Sequence, residues 1–115
     1  MDALKCRYGD FSGLQISEIK KKMRKQIFFL LIIVDPDTAY QYKNVDVDAA
    51  IENVLQVYGS LNDLLGYPKE FVEVMILLNA AHMEYQKGSE DFDWHAYRKL
   101  ILDAGSAVEK IKEAS

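Results

Sequence analysis

The strongest pattern along this chain is a change of character within one stretch, Lys20 to Pro36. Five basic residues fall within six positions, eight apolar residues follow in a row from Ile27 to Val34, and Asp35-Pro36 ends the run. Ile16, Ile19, Met23, Ile27, Leu30 and Val34 recur at steps of three or four, which places them on one face of a helix beginning near Leu14 to Ser17. Lys21, Lys22 and Lys25 lie away from that face, and Phe28, Phe29, Ile32 and Ile33 point to its remaining sides. The helix starts amphipathic and becomes apolar all round, a pattern that belongs to buried helices. Its second half needs cover on two sides, from the same chain or from another copy of it. A strand is the rival assignment for residues 27–34, because Ile, Phe and Val favour strands. The unbroken stripe from Ile16 and the lack of a second convincing strand favour the helix. The reading fails if residues 27–34 form a sheet strand, or if Phe28 and Phe29 are bare to water in a lone subunit.

Three further helices follow from the same kind of pattern. Asp35-Pro36-Asp37-Thr38 reads as a turn, since proline cannot continue the helix. Residues 38–45 then cross to the next helix, with Tyr40 and Tyr42 as anchors. Asp46 is the predicted N-cap of a second helix, whose face is Val47, Ala50, Ile51, Val54, Leu55, Tyr58, Leu61 and Leu65. Gly59-Ser60 interrupts it, as a bend or a close helix contact would require. Gly66 suits the left-handed position after a helix end, and Pro68 the start of the next. The third helix, from about Pro68 to Lys87, carries a main stripe of Phe71, Val74, Met75, Leu78, Ala81, His82 and Tyr85, and a second of Val72, Ile76 and Met83. Gly88 closes it. Asp93 is the predicted cap of a fourth helix with Trp94, Tyr97, Leu100, Ile101, Ala104, Val108 and Ile111 on one face. Lys110 and Lys112 complement its dipole, and Gly105 marks a bend or a helix approach. Short connections join antiparallel neighbours, so the predicted fold is all-α, an antiparallel four-helix bundle over residues 14–115. Residues 1–13 read as a loosely ordered leader, tied down if at all by Leu4, Tyr8 and Phe11.

Composition narrows the function classes. Half of the 115 residues are apolar and 28% are charged, which is the balance of one globular domain. The single cysteine, Cys6, has no partner in the chain, which fits a reducing, cytoplasmic setting. The apolar run is too short for a spanning helix, which needs roughly 20 residues, and sits too far from the N-terminus for a signal peptide. A net charge of −4 argues against nucleic acid as the main partner. The basic cluster Lys20, Lys21, Lys22, Arg24 and Lys25 offers an anionic partner a surface, set against the plainer reading of a solvated face whose stems cover apolar neighbours. His82, on an apolar face, reads as a hydrogen-bonded core histidine. Asp91, Asp93 and His95 lack the spacing of zinc or calcium loops, and Asp93 has a capping role. No nucleophile elbow or phosphate loop occurs. The expectation is no enzyme, no cofactor, no metal and no small-molecule substrate.

The surplus apolar surface on the first and third helices remains. The plainer reading is that the bundle core absorbs it all. The functional one, towards which the opposition of Phe28, Phe29 and Ile32 to the core stripe leans, is a protein partner, most simply a second copy in a two-fold dimer, engaged by Lys21, Arg24, Lys25, Phe28, Phe29, Ile32, Val72 and Ile76. In size, four helices, one cysteine and a basic-apolar first helix, the plan resembles the small cytoplasmic helical bundles of bacteriocin loci in Gram-positive bacteria, immunity proteins included. That resemblance implies a self-immunity protein acting at the membrane surface or on a membrane receptor. The acidic balance departs from the basic character usual for immunity proteins. A nucleic-acid-binding regulator is the third class the sequence leaves open.

Overall fold

The computed structural model describes residues 4–6, 9–11 and 13–111, with side chains from Ser17 onward. Two three-residue strands come first, β1 (Leu4–Cys6) and β2 (Gly9–Phe11), paired antiparallel with Leu4 opposite Phe11 and Cys6 opposite Gly9. Four helices follow: α1 (Gly13–Ile32), α2 (Val47–Leu64), α3 (Lys69–Tyr85) and α4 (Trp94–Glu109). The bundle expected from the periodicity is present, and residues 27–32 are helix. Within the span expected to be a leader, residues 4–6 and 9–11 pair as this hairpin, whose strands are too short for alternation to register in the sequence. The anchoring roles of Leu4, Tyr8 and Phe11, the stripe position of Ile16 and the dipole role of Lys112 lie outside the described side chains.

The turns form for the reasons their residues suggest. Asp46 caps α2 by accepting from the Ala49 N–H at 3.0 Å. Asp93 caps α4 by accepting from the N–H groups of His95 and Ala96. Both side chains satisfy amide donors that the first helical turn leaves free. At the end of α2, Gly66 (φ 78°) and Tyr67 (φ 61°) are both left-handed. The Tyr67 N–H reaches back to the Asn62 carbonyl and the Gly66 N–H to that of Asp63, the paired bonds of a Schellman ending. The strained Tyr67 backbone is held by its own hydroxyl, which donates to Asp63 Oδ1 at 2.6 Å.

The helices form a ring in which α1 packs on α4, α4 on α3 and α3 on α2, with α2 closing on α1 across the sparsest interface. Neighbours run antiparallel. Lys20, early in α1, meets the end of α4, while Tyr97, at the start of α4, meets Leu30 near the end of α1. Asp48 at the start of α2 meets His82 near the end of α3. The core is Met23, Ile27 and Leu30 from α1, Ile51 and Tyr58 from α2, Phe71, Val74 and Leu78 from α3, and Tyr97, Ile101 and Val108 from α4. At one end of it Tyr85, Phe92, Trp94 and Tyr97 pack ring against ring, with Phe92 and Tyr97 centroids 5.7 Å apart.

Two buried phenols tie α1 to its neighbours. Tyr97 Oη donates to the Leu30 carbonyl at 2.6 Å. Tyr58 Oη lies against the Met23 carbonyl at 3.2 Å and the Gln26 side chain. Burial pushes both phenols above the ordinary tyrosine range, with Tyr85 a smaller influence on Tyr97. An unfolded tyrosine ionises near pH 10. The folded chain holds these two protonated beyond that point, so their contribution is complete below pH 10 and is lost as pH rises above it. Urea unfolding should show Tyr97→Phe less stable by about 1–3 kcal/mol at pH 7, the cost of leaving the Leu30 carbonyl unpaired. The loss of wild-type stability between pH 9.5 and 11 should be shallower in Tyr97→Phe and in Tyr58→Phe.

Candidate functional site

The outward side of α1 is built by its register. Lys21, Lys25, Phe28 and Ile32 follow steps of four, three and four, so they fall in one row opposite the core stripe. Lys21 and Lys25 are exposed and Ile32 is half-buried. Phe28 is 58% exposed, although it stands in the middle of the apolar run. The expectation that this half of the helix is covered on every side is therefore not met within one chain. Phe29 turns the other way, 37% exposed, and packs edge-on against Tyr42 at 5.6 Å. It lines a groove of about 310 Å³ over the sparse α1–α2 interface, with Gln26, Leu30, Ala50 and Val54.

Beside Phe28 runs a second groove, about 300 Å³, between α1 and α4. Ile27 and Leu31 form one wall, and Ile101, Leu102, Gly105 and Ser106 the other. Leu102 is 41% exposed. Space above Gly105 is open to 4 Å, so no described helix of this chain makes the close approach expected there. Gly59, by contrast, does receive a neighbour, with Met75 Cε 3.8 Å from where a Cβ would stand.

The basic cluster divides in two. Lys20 is only 8% exposed, and its Nζ donates to the Glu109 and Ile111 carbonyls at 3.1 and 2.9 Å. These are carbonyls at the end of α4, where a cation is favoured by both hydrogen bonding and the helix dipole. Arg24 pairs with the Glu109 carboxylate. Both residues act as stitches between α1 and α4. The five basic residues therefore do not share one solvated face. Lys21, Lys22 and Lys25 remain as exposed cations with no ion pair among the described residues.

The other end of the bundle is acidic. Asp35, Asp37, Asp46, Asp48, Glu84, Glu90, Asp91 and Asp93 collect there, with Lys43 and Lys87 the basic residues among them. His82, buried as expected, places Nε2 3.0 Å from Asp48 Oδ1. The buried Glu84 carboxylate accepts from the Asp93 N–H and from Lys87 Nζ, each at 3.0 Å. The backbone bond, then the Lys87 bond, hold its pKa below the ordinary carboxylate value. Burial raises that of Tyr85, and the Asp48 and Asp46 charges raise it further. A cavity of about 480 Å³ opens between Ile33, Val34, Tyr85 and Phe92. Among the described residues, no trio of His, Cys, Asp or Glu converges as metal ligands would, and no helix is long and apolar enough to cross a membrane.

Comparisons with known proteins give no precedent: no family model matches, and neither a curated protein nor a solved structure matches significantly.

The eight residues singled out in the sequence thus do not form one patch. Lys21, Lys25, Phe28 and Ile32 stand together, Arg24 lies at their edge in its ion pair, and Phe29 faces the α2 side. Val72 and Ile76 lie on the outer α2–α3 side with Leu55 and Asn79. Leu102, Gly105 and Ser106 belong beside Phe28 but were not singled out. The signal was Leu102, a large apolar residue off the α4 stripe.

The two kinds of lysine should separate in unfolding experiments. Lys20→Met leaves two carbonyls without their donor and should cost about 1–3 kcal/mol. Lys21→Met should stay within about 0.5 kcal/mol of wild type, as surface changes do.

Proposed function

We propose that this chain is a non-enzymatic interaction protein of the cytoplasm that acts, in a regulatory role, by binding another polypeptide, most simply a second copy of itself. The observation that carries the reading is Phe28, 58% exposed next to Leu102 in an open apolar groove. An aromatic side chain of this size gains about 1.5–3 kcal/mol from full burial relative to exposure. Clustered with Leu102 and flanked by lysines, it has the make-up of an interface centre with a polar rim. Light scattering from 5 µM to 500 µM should show the mass rising towards twice the chain mass. Phe28→Glu should abolish that rise with little change in the thermal midpoint, because the side chain contributes little to the folded core. A strict monomer at the highest concentration removes the self-association reading.

A second reading is favoured by one observation, the exposed Lys21, Lys22 and Lys25 beside Phe28 and Phe29. Cations around aromatic rings suit an anionic lipid surface, which is where the resemblance to bacteriocin immunity proteins also leads. Vesicle pelleting with and without anionic lipid tests it. On this reading, retention on anionic vesicles disappears when Lys21 and Lys25 are changed to Glu, and retention on neutral vesicles is absent throughout.

A further inference from the structure

The outward row on α1 has an order that a two-fold partner would read. It runs Lys21, Lys25, Phe28, Ile32 and then Asp35, continuing the alternation of four and three. The N–H groups of Ile33 and Asp35 bond to the Phe29 and Leu31 carbonyls, so the helical twist carries past Ile32 and keeps Asp35 on that side. The row is therefore basic at its start, apolar in the middle and acidic at its end. Asp35 is half-buried, its Oδ1 accepting from the Asp37 N–H at 2.8 Å and its second carboxylate oxygen left for a partner, with the exposed Asp37 beside it in the same turn. Steps of four and three are the spacing with which one helix packs along another.

We infer that two copies associate through this row, antiparallel, with the two-fold axis at Phe28, so that Lys21 of each copy faces Asp35 of the other. The inference rests on the self-association reading and specifies its geometry. Lys21 and Asp35 stand seven positions to either side of Phe28, about 10 Å along the axis at 1.5 Å per residue. Antiparallel helices crossing at Phe28 bring these two to the same level on both sides of the axis. A parallel pair sets lysine against lysine and aspartate against aspartate, so the charges select the antiparallel arrangement. The whole molecule agrees with this choice. Its basic stretch lies along the first half of α1, and its carboxylates crowd the opposite end of the bundle. Reversal of one copy lays each basic stretch beside the other's acidic end. The two Phe28 rings then meet at the centre, next to the paired Leu102 side chains and the open strip over Gly105. A two-fold contact of this kind is closed and stops at two copies.

The test uses the full chain carrying Cys6→Ser. Lys21→Asp and Asp35→Lys should each weaken the dimer about tenfold in sedimentation equilibrium, because each change turns two attractive pairs into two repulsive ones. The double variant should return to within about threefold of the parent. Phe28→Cys, which leaves the Asp35 turn untouched, should form a disulfide-linked dimer under mild oxidation, and Val57→Cys on α2 should not. A dimer that ignores the charge exchange and whose Phe28→Cys form stays unlinked overturns this geometry while leaving self-association standing. A monomer at every concentration overturns both.

Discussion

A helix in a four-membered ring touches two neighbours and turns its outer side to water, while consecutive residues step round its axis by about 100°. Eight consecutive apolar residues cannot all face inward under that constraint. Along the apolar run, Ile27, Leu30, Leu31 and Ile33 are buried, and the rotation leaves Phe28 outside. Its exposure is thus set by the register of the core itself. The sector it occupies faces outward, at the rim of the open groove between α1 and α4. The surface that distinguishes this molecule is a by-product of a sequence with more apolar positions than one chain's fold has room to cover.

Electrostatics is divided between holding the fold and dressing its surface. Lys20 and Arg24 reach across to the end of α4, and Glu84 and His82 secure the opposite end. The exposed Arg24–Glu109 pair adds little stability, whereas Lys20 is buried against two carbonyls and matters more. What is left over, three lysines on one half of α1 and a crowd of carboxylates at the far end, gives a net-acidic chain a strongly polarised surface.

Much of the fold was legible because it rests on local rules. The core stripes, the Asp46 and Asp93 caps, and the Gly66 ending depend on residues a few positions apart. What was illegible depends on distance. Lys20 sits one step from Met23 and Ile27 on the wheel, and carbonyls 89 and 91 positions away make it structural. The candidate surface was half-legible for the same reason. Each helix announces its own faces, but not which helix stands beside it. Phe28, Val72 and Ile76 read as one surplus until the ring order separated them, and Leu102 had no reason to be joined to Phe28.

The ring order also has a consequence in time. The main cover for α1 comes from α4, and the Leu30 carbonyl waits for a hydroxyl 67 residues downstream. At synthesis rates of about 5–20 residues per second, the greasy half of α1 stands outside the ribosome for roughly 3–13 s before that cover emerges. Helix α2 arrives sooner but closes on α1 only sparsely. The nascent chain therefore passes through a window in which chaperone capture competes with folding. The lysines beside the run are well placed to keep it dispersed while it waits.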